Sequence, residues 1–207
     1  MSWTLENYDR LMIALGEHVM LVGIALAISI AIAFPLGIWS ARRRAIYVVV
    51  MSVTGVLYTV PALALFALLI PFMGLGTAPA ITALVLYSLL ILIRNIATGI
   101  RDVPGDVIDA ARGMGMSVRQ LLWRIELPLA LPVIVAGVRV AAVTVISVTV
   151  AAAYVNAGGL GAIILEGIQT DHAPKIWVGA LTACALAVAV DLSLAALQVR
   201  LQRHRAA

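Results

Sequence analysis

The sequence predicts an all-α membrane protein with five transmembrane helices. Three observations carry this expectation: 63% of the 207 residues are hydrophobic, only 12% are charged, and the mean hydropathy is +1.09. Soluble domains carry about 25% charged residues, so half of the usual solvating surface is missing and lipid takes the place of water. The net charge of +4 rests on 14 basic residues, 13 of them Arg. On a soluble protein that balance would raise the question of nucleic acid; here the arginines stand between apolar runs, as basic loops facing a cytoplasm do.

A bilayer core about 30 Å thick takes roughly 20 residues of helix at 1.5 Å each. The charge-free run from Val19, closed by Arg42-Arg43-Arg44, supplies the first span, about 19-41. From Ala45 to Ile93 no charge occurs for 49 residues, and Pro71, Gly74, Gly76 and Pro79 punctuate the middle. Such breakers divide the run into two spans, about 45-70 and 78-100, joined by a short turn. The run from Leu127 to Leu165 holds only Arg139 and is broken near its end by Gly158, Gly159 and Gly161, which gives a fourth span, about 129-153. The stretch Leu160 to Ile168 is too short to cross and is expected to re-enter or to lie at the outer interface. The fifth span, about 176-199, carries Asp191 and runs into Arg200, Arg203 and Arg205. With no internal repeat or low-complexity tract, residues 1-207 read as a single transmembrane domain.

Five spans put the termini on opposite sides. Arg42, Arg43, Arg44, Arg101, Arg112, Arg119, Arg124, Arg200, Arg203 and Arg205 fall on one side, and only Arg10 and Lys175 on the other. Ten against two places the N-terminus outside and the C-terminus in the cytoplasm. Trp39, Tyr47, Tyr154 and Trp177 fall at span ends, where amphipathic rings favour the headgroup region, whereas Tyr58 and Tyr87 do not fit that belt. A cleaved secretory signal is not expected, because Glu6, Asp9 and Glu17 precede the first run against the one basic Arg10.

The segment 101-128 is the one long cytoplasmic loop, and it reads as helix. Pro104 or Asp106 can open a helix, Ala110 and Ala111 allow close approach of a partner, and Gly115 permits a turn with φ > 0. A second helical stretch follows from about Ser117, and Pro128 suits the first turn of the next span. The plainest reading of such a segment is an amphipathic helix resting on the headgroups. However, Asp109, Ala110, Ala111, Gly115, Ile125, Leu127 and Pro128 form the pattern D-A-A-x3-G-x9-I-x-L-P.

At these residues the sequence resembles the permease subunits of bacterial binding-protein-dependent ABC importers, whose cytoplasmic loop carries E-A-A-x3-G-x9-I-x-L-P. Seven positions at matching spacing, between spans and on the positive side, outweigh the headgroup reading. Asp109 departs from the usual Glu by one methylene, which weakens or shifts an ionic contact made there. The resemblance implies the type I ABC importer permease fold, a multi-pass protein of the bacterial cytoplasmic (inner) membrane, and a coupling helix between spans three and four. It also implies partners: two copies of an ATP-binding subunit, a second permease copy or a paralogue, and an extracytoplasmic substrate-binding protein. ATP and Mg belong to the ATPase, since this chain has no Walker sequence and no cofactor or catalytic role of its own. Thr59 to Leu63, Gly74 to Gly76, Gly113 to Ser117 and Asn156 to Gly161 look like the subgroup importing osmoprotectants such as glycine betaine, choline and carnitine. Subgroups for methionine or sulfonates share several of these motifs. A non-transporting scaffold and an intramembrane enzyme are the readings from other classes.

The remaining polar residues offer little chemistry of their own. Asn156, Gly158, Gly159 and Gly161 lack the terminal G-K-[ST] of a phosphate loop and are expected to form a hinge or gate at the outer mouth. Arg94, Arg139 and Asp191 lie within spans, where a charge costs about 2.5–3.5 kcal/mol and calls for a partner or an inner-facing site. Arg139 invites a direct substrate role, but a fixed cation repels a quaternary ammonium group while attracting a carboxylate, so a structural hydrogen-bonding role is the expectation. Arg94 and Asp191 sit at matching depths, roughly 10–14 Å from the cytoplasmic ends of their spans, and are expected to pair. His18, His172 and His204 stand far apart in no metal-binding spacing, and Cys184 is the one cysteine, so neither a metal site nor a disulfide is expected.

Overall fold

The computed structural model describes residues 6–206, with side chains as far as residue 202, so the side chains of Arg203, His204 and Arg205 lie outside the described ones. Every regular element among the described residues is helical. Helix α1 (Tyr8–Arg42) begins well before the first apolar run, because its buried seam does. Leu11, Ala14, His18, Leu21, Ala25, Ser29 and Ala33 recur every three or four residues along one face, while Asp9, Arg10 and Glu17 lie off it. Charges on the outer face do not interrupt a helix whose packing face continues.

A single extended residue, Arg43 (φ −133°, ψ 112°), separates α1 from α2 (Arg44–Thr59). The stretch expected as one span at about 45-70 is bent by 99° between α2 and α3 (Ala62–Met73). The cause is Pro61, which drives Val60 into extended backbone (ψ 127°) and ends α2. Pro71, a more obvious breaker in its glycine-rich setting, sits inside α3. The carbonyl left at the break is met by the Tyr87 hydroxyl, which donates to Val60 O, and Tyr58 packs edge-on to Tyr87 at 5.5 Å. That pairing accounts for the two tyrosines outside the interfacial belt.

The turn after α3 uses Gly74 (φ 74°) and Gly76 (φ 116°) and leads into α4 (Thr77–Arg101), the central helix. It lies between α1 and α7 (Leu127–Thr149). Small residues bring these backbones together: a Cβ on Gly37 of α1 would lie 2.6 Å from Ile96, and one on Gly99 would lie 3.2 Å from Ala130 O. Ser88 of α4 donates to Ser29 of α1 at 2.5 Å, with both hydroxyls fully buried, so this polar contact needs no water. The main apolar core, including Leu84, Leu92, Ile93, Ile96, Val145 and Ile146, fills the space between these helices.

The segment 101-128 holds α5 (Gly105–Gly113), α6 (Val118–Leu121) and a π-helical turn (Leu122–Glu126) that runs without a break into α7. Beyond α7 a 3₁₀ stretch (Val150–Val155) ends at Asn156, whose φ of 61° turns the chain. The short α8 (Leu160–Gln169) follows, then α9 (Ala173–Ala206), which packs on α7 and α8. Among the described residues four helices are long and apolar enough to cross a membrane, and the bent pair α2–α3 is the fifth candidate.

Candidate functional site

The cytoplasmic element is built from two capped helices. Pro104 stands at the N-cap of α5 and Asp106 in its first turn. At the other end Met116 N–H donates to Ala111 O (3.2 Å) and Gly115 N–H to Arg112 O (2.9 Å). This is the Schellman arrangement, and it requires the positive φ found at Gly115, 78°. Ser117 then opens α6 with a reciprocal capping box: its hydroxyl accepts from Gln120 N–H at 3.3 Å, and its own N–H donates to Gln120 Oε1 at 2.8 Å.

The seven pattern residues do not share one surface. Asp109, Ala110 and Gly115 are exposed on α5 and its turn, and Asp109 makes a long contact with Arg112 at 3.9 Å. Ala111 is buried, facing inward, and Leu127 belongs to the main core. Ile125, Leu127 and Pro128 stand at the entry to α7, where they fix how the loop joins the span. Exposed apolar side chains flank the glycine turn instead: Met114 (70% exposed), Val118 (73%) and Trp123 (56%). Spacing gives no hint of these, since exposed apolar residues at a turn carry no periodic signal.

A second missed feature joins this element to the bundle. Glu126, in the π-helical turn, is buried to 2% side-chain exposure and accepts both terminal nitrogens of Arg42 from the end of α1. The Nη1–Oε1 bond is 2.8 Å. A bidentate guanidinium–carboxylate pair fixes orientation as well as distance, so α1 and the segment leading into α7 are locked in register.

Within the spans the structure corrects the expected pairing. Asp191 of α9 pairs with Arg139 of α7, through Nε and Oδ1 and through Nη2 and Oδ2 at 2.7 Å. Arg94 is exposed on α4. Equal depth is necessary for a pair but does not decide it; α9 packs on α7 and α8 rather than on α4, so Asp191 meets the arginine of its own neighbour.

Where the 3₁₀ stretch leads into α8, Glu17 of α1 accepts from Gly159 N–H at 2.8 Å, and His18 beneath it is fully buried with Nε2 3.1 Å from Ile146 O. A Cβ on Gly159 would come within 3.3 Å of His18 Nδ1, and Gly161 lies against the carbonyl of Val150. The glycines therefore allow the loop to sit directly on α1 and on the end of the 3₁₀ stretch. Gly76 N–H donates to Val155 O (2.7 Å), tying the α3–α4 turn to the same place. On α8, Glu166 is bound by Arg10 and by Lys175, the latter at 2.6 Å. Arg10 first, and then Lys175, hold its carboxyl down to about 2. Among the described residues no group of His, Cys, Asp and Glu has the arrangement of a metal site.

A membrane bundle carrying an exposed, double-capped cytoplasmic helix pair between its third and fourth apolar stretches is the architecture of an ABC-importer permease. The chain belongs to the family of binding-protein-dependent transport system inner membrane components, whose model matches residues 33–206. It is 40% identical to the carnitine transport permease protein OpuCB of Listeria monocytogenes over 95% of this chain and 90% of that one. It is 39% identical to the osmoprotectant import permease protein OsmW of Salmonella typhimurium over 95% of this chain and 94% of that one. The fold matches the inward-facing MetNI methionine ABC transporter with a TM-score of 0.83 at 20% identity, covering 92% of this chain and 95% of that one. An amino acid ABC transporter matches with a TM-score of 0.79 at 18% identity, covering 96% and 97%. The chain is thus a non-catalytic, inner-membrane transport subunit, and ATP hydrolysis belongs to a separate ATPase.

Proposed function

We propose that this chain, with a second copy or a paralogue, lines the path by which a small osmoprotectant such as glycine betaine, choline or carnitine enters the cell. A substrate-binding protein delivers the solute from outside, and two ATPase subunits carrying ATP and Mg drive the change of access. The observation that carries the substrate class is similarity along almost the whole chain to permeases named for carnitine, choline and osmoprotectants. The Arg139–Asp191 pair is compatible with a cationic headgroup in the path, because Asp191 neutralises the charge of Arg139.

The ATPase docks on the exposed face of α5 and its turn. Asp109, Ala110 and Gly115 form that surface together with Met114 and Val118, and Ala111 seats α5 against the rest of the loop. Ile125, Leu127 and Pro128 pass the displacement to α7, and Glu126 passes it to α1 through Arg42. Asn156, Gly158, Gly159 and Gly161 form the outer gate, latched by Glu17.

The test is uptake into vesicles holding the permease, the ATPase and the binding protein from the neighbouring reading frames. Labelled glycine betaine should enter only with ATP, be competed by choline or carnitine, and be indifferent to methionine and taurine. ATP-driven uptake of methionine or taurine in its place would move the substrate class. No stimulation of ATP hydrolysis by any loaded binding protein would favour a scaffold.

A further inference from the structure

At the cytoplasmic end of the bundle, the close of α1, the start of α2 and the end of α4 enclose a cavity of about 530 Å³ lined by Ala41, Arg42, Arg44, Tyr47, Val48 and Arg101. Its three cations are in different states. Arg42 is neutralised by Glu126. Arg101 lies over the Tyr47 ring, 4.2 Å from Cζ to centroid, and donates from Nε to Ala41 O at 3.2 Å and from Nη2 to Ser40 O. Those contacts fix its position without cancelling its charge, because carbonyls and a ring carry no formal charge, and they leave Nη1 uncommitted. Arg44 is exposed, with no partner among the described residues, and no acidic side chain lines the cavity. The cavity therefore keeps two uncompensated positive charges, one of them held rigidly.

We infer that this cavity binds the phosphate of an anionic phospholipid from the cytoplasmic leaflet. Guanidinium groups favour phosphate through paired, charge-assisted hydrogen bonds, and basic pockets between helix ends on this side are suited to lipid headgroups. A phospholipid fits better than a soluble phosphate because the cavity forms where the Arg42-Arg43-Arg44 run closes the first apolar span, the level expected for headgroups, and Tyr47 lines it. Its wall also continues into apolar surface: Val48 lines the cavity, and Val48, Val49, Val53 and Val56 leave α2 exposed down its length for acyl chains to follow. The site shares Arg42 with the joint that holds the cytoplasmic element, so the bound lipid sits beside the coupling path.

The test uses the full-length chain, delipidated in neutral detergent, with bound lipid counted by native mass spectrometry. Phosphatidylglycerol should be retained about tenfold or more over phosphatidylcholine of the same chains, given roughly 1 kcal/mol for each cation near a lipid phosphate. Arg44→Gln should lower phosphatidylglycerol retention about fivefold and Arg44→Glu further, and both variants should fold because Arg44 holds nothing in place. Arg119→Gln, which removes a cation from the same face but another hollow, should leave retention close to wild type. Equal retention of the two lipids would overturn the inference, as would a loss from Arg119→Gln as large as that from Arg44→Gln. Displacement of the lipid by millimolar inorganic phosphate would reassign the cavity to a soluble anion and equally overturn the lipid assignment.

Discussion

Gly115 can be replaced by residues that differ in what they do to its backbone and in what they add to its surface. Its φ of 78° lies in the left-handed region, and a Cβ built there would meet nothing within 4 Å. In the isolated chain, therefore, alanine adds no clash, and its whole cost is conformational, about 1–2 kcal/mol. Asparagine tolerates this region and costs less, and β-branched valine costs more. If the ATPase recognises the Schellman-turned form, its apparent affinity falls with the fraction of chains that hold that form. At tenfold for each 1.4 kcal/mol, Gly115→Ala lowers affinity by up to about thirtyfold, Gly115→Val by more, and Gly115→Asn by little. The assay is titration of purified ATPase onto tagged permease in nanodiscs, with uptake measured in parallel. Permease abundance should stay normal, since the loop lies outside lipid. Equal losses from Ala and Asn would refute the backbone argument and indicate that any Cβ obstructs the docking groove. Normal binding and uptake with Gly115→Val would refute the docking role of the face formed by Asp109, Ala110 and Gly115, and with it the seating role of Ala111.

Arg42→Met leaves the Glu126 carboxylate buried without its cation. The expected loss is about 3 kcal/mol, the low end for breaking a buried pair because Arg42 is 33% exposed, and adding Glu126→Gln should recover part of it in thermal unfolding. Arg139→Gln and Asp191→Asn should each lower folded yield while the double variant is no worse than either, whereas Arg94→Gln should combine additively with Asp191→Asn; additivity between Arg139 and Asp191 would contradict the pairing. Glu166 has its carboxyl lowered from 4.5 to about 2, so the unfolded chain binds the extra proton first as pH falls. Its contribution is full above about pH 4.5 and is lost on going down through pH 2, and Glu166→Gln should flatten the unfolding midpoint over that window. Reporter fusions after Arg44 and Arg124 should both read as cytoplasmic, and a periplasmic signal after Arg124 would remove the docking element.

Sequence reasoning reaches the features whose physics is local. Charge-free runs mark spans because lipid tolerates little charge, and Gly115 is legible because a helix that ends in a tight turn needs a residue without a Cβ. Counting breakers favours the cluster Pro71 to Pro79 as the only interruption between Ala45 and Ile93. The 99° bend instead comes from Pro61, alone in an apolar run, because its effect falls on Val60 and the freed carbonyl finds Tyr87 from another helix. Long-range pairs are not legible. Arg42 and Glu126 are 84 residues apart and Glu17 and Gly159 are 142 apart, with no periodic signal joining either pair. The expected Arg94–Asp191 pair fails for the same reason: depth follows from counting residues along one helix, whereas partner choice depends on which helices pack.

The docking role stands or falls on whether the face around Gly115 meets the ATPase. Cys184 is the one cysteine, so a chain carrying Cys184→Ser and Met114→Cys has a single thiol beside the turn. In vesicles holding the complete importer, that thiol should cross-link to the ATPase subunit through a short bifunctional reagent. It should be shielded from a membrane-impermeant maleimide added outside, and the cross-linking yield should change when ATP is bound. Labelling of the introduced thiol from outside, or cross-linking only to lipid and to other permease chains with the ATPase present, would contradict it.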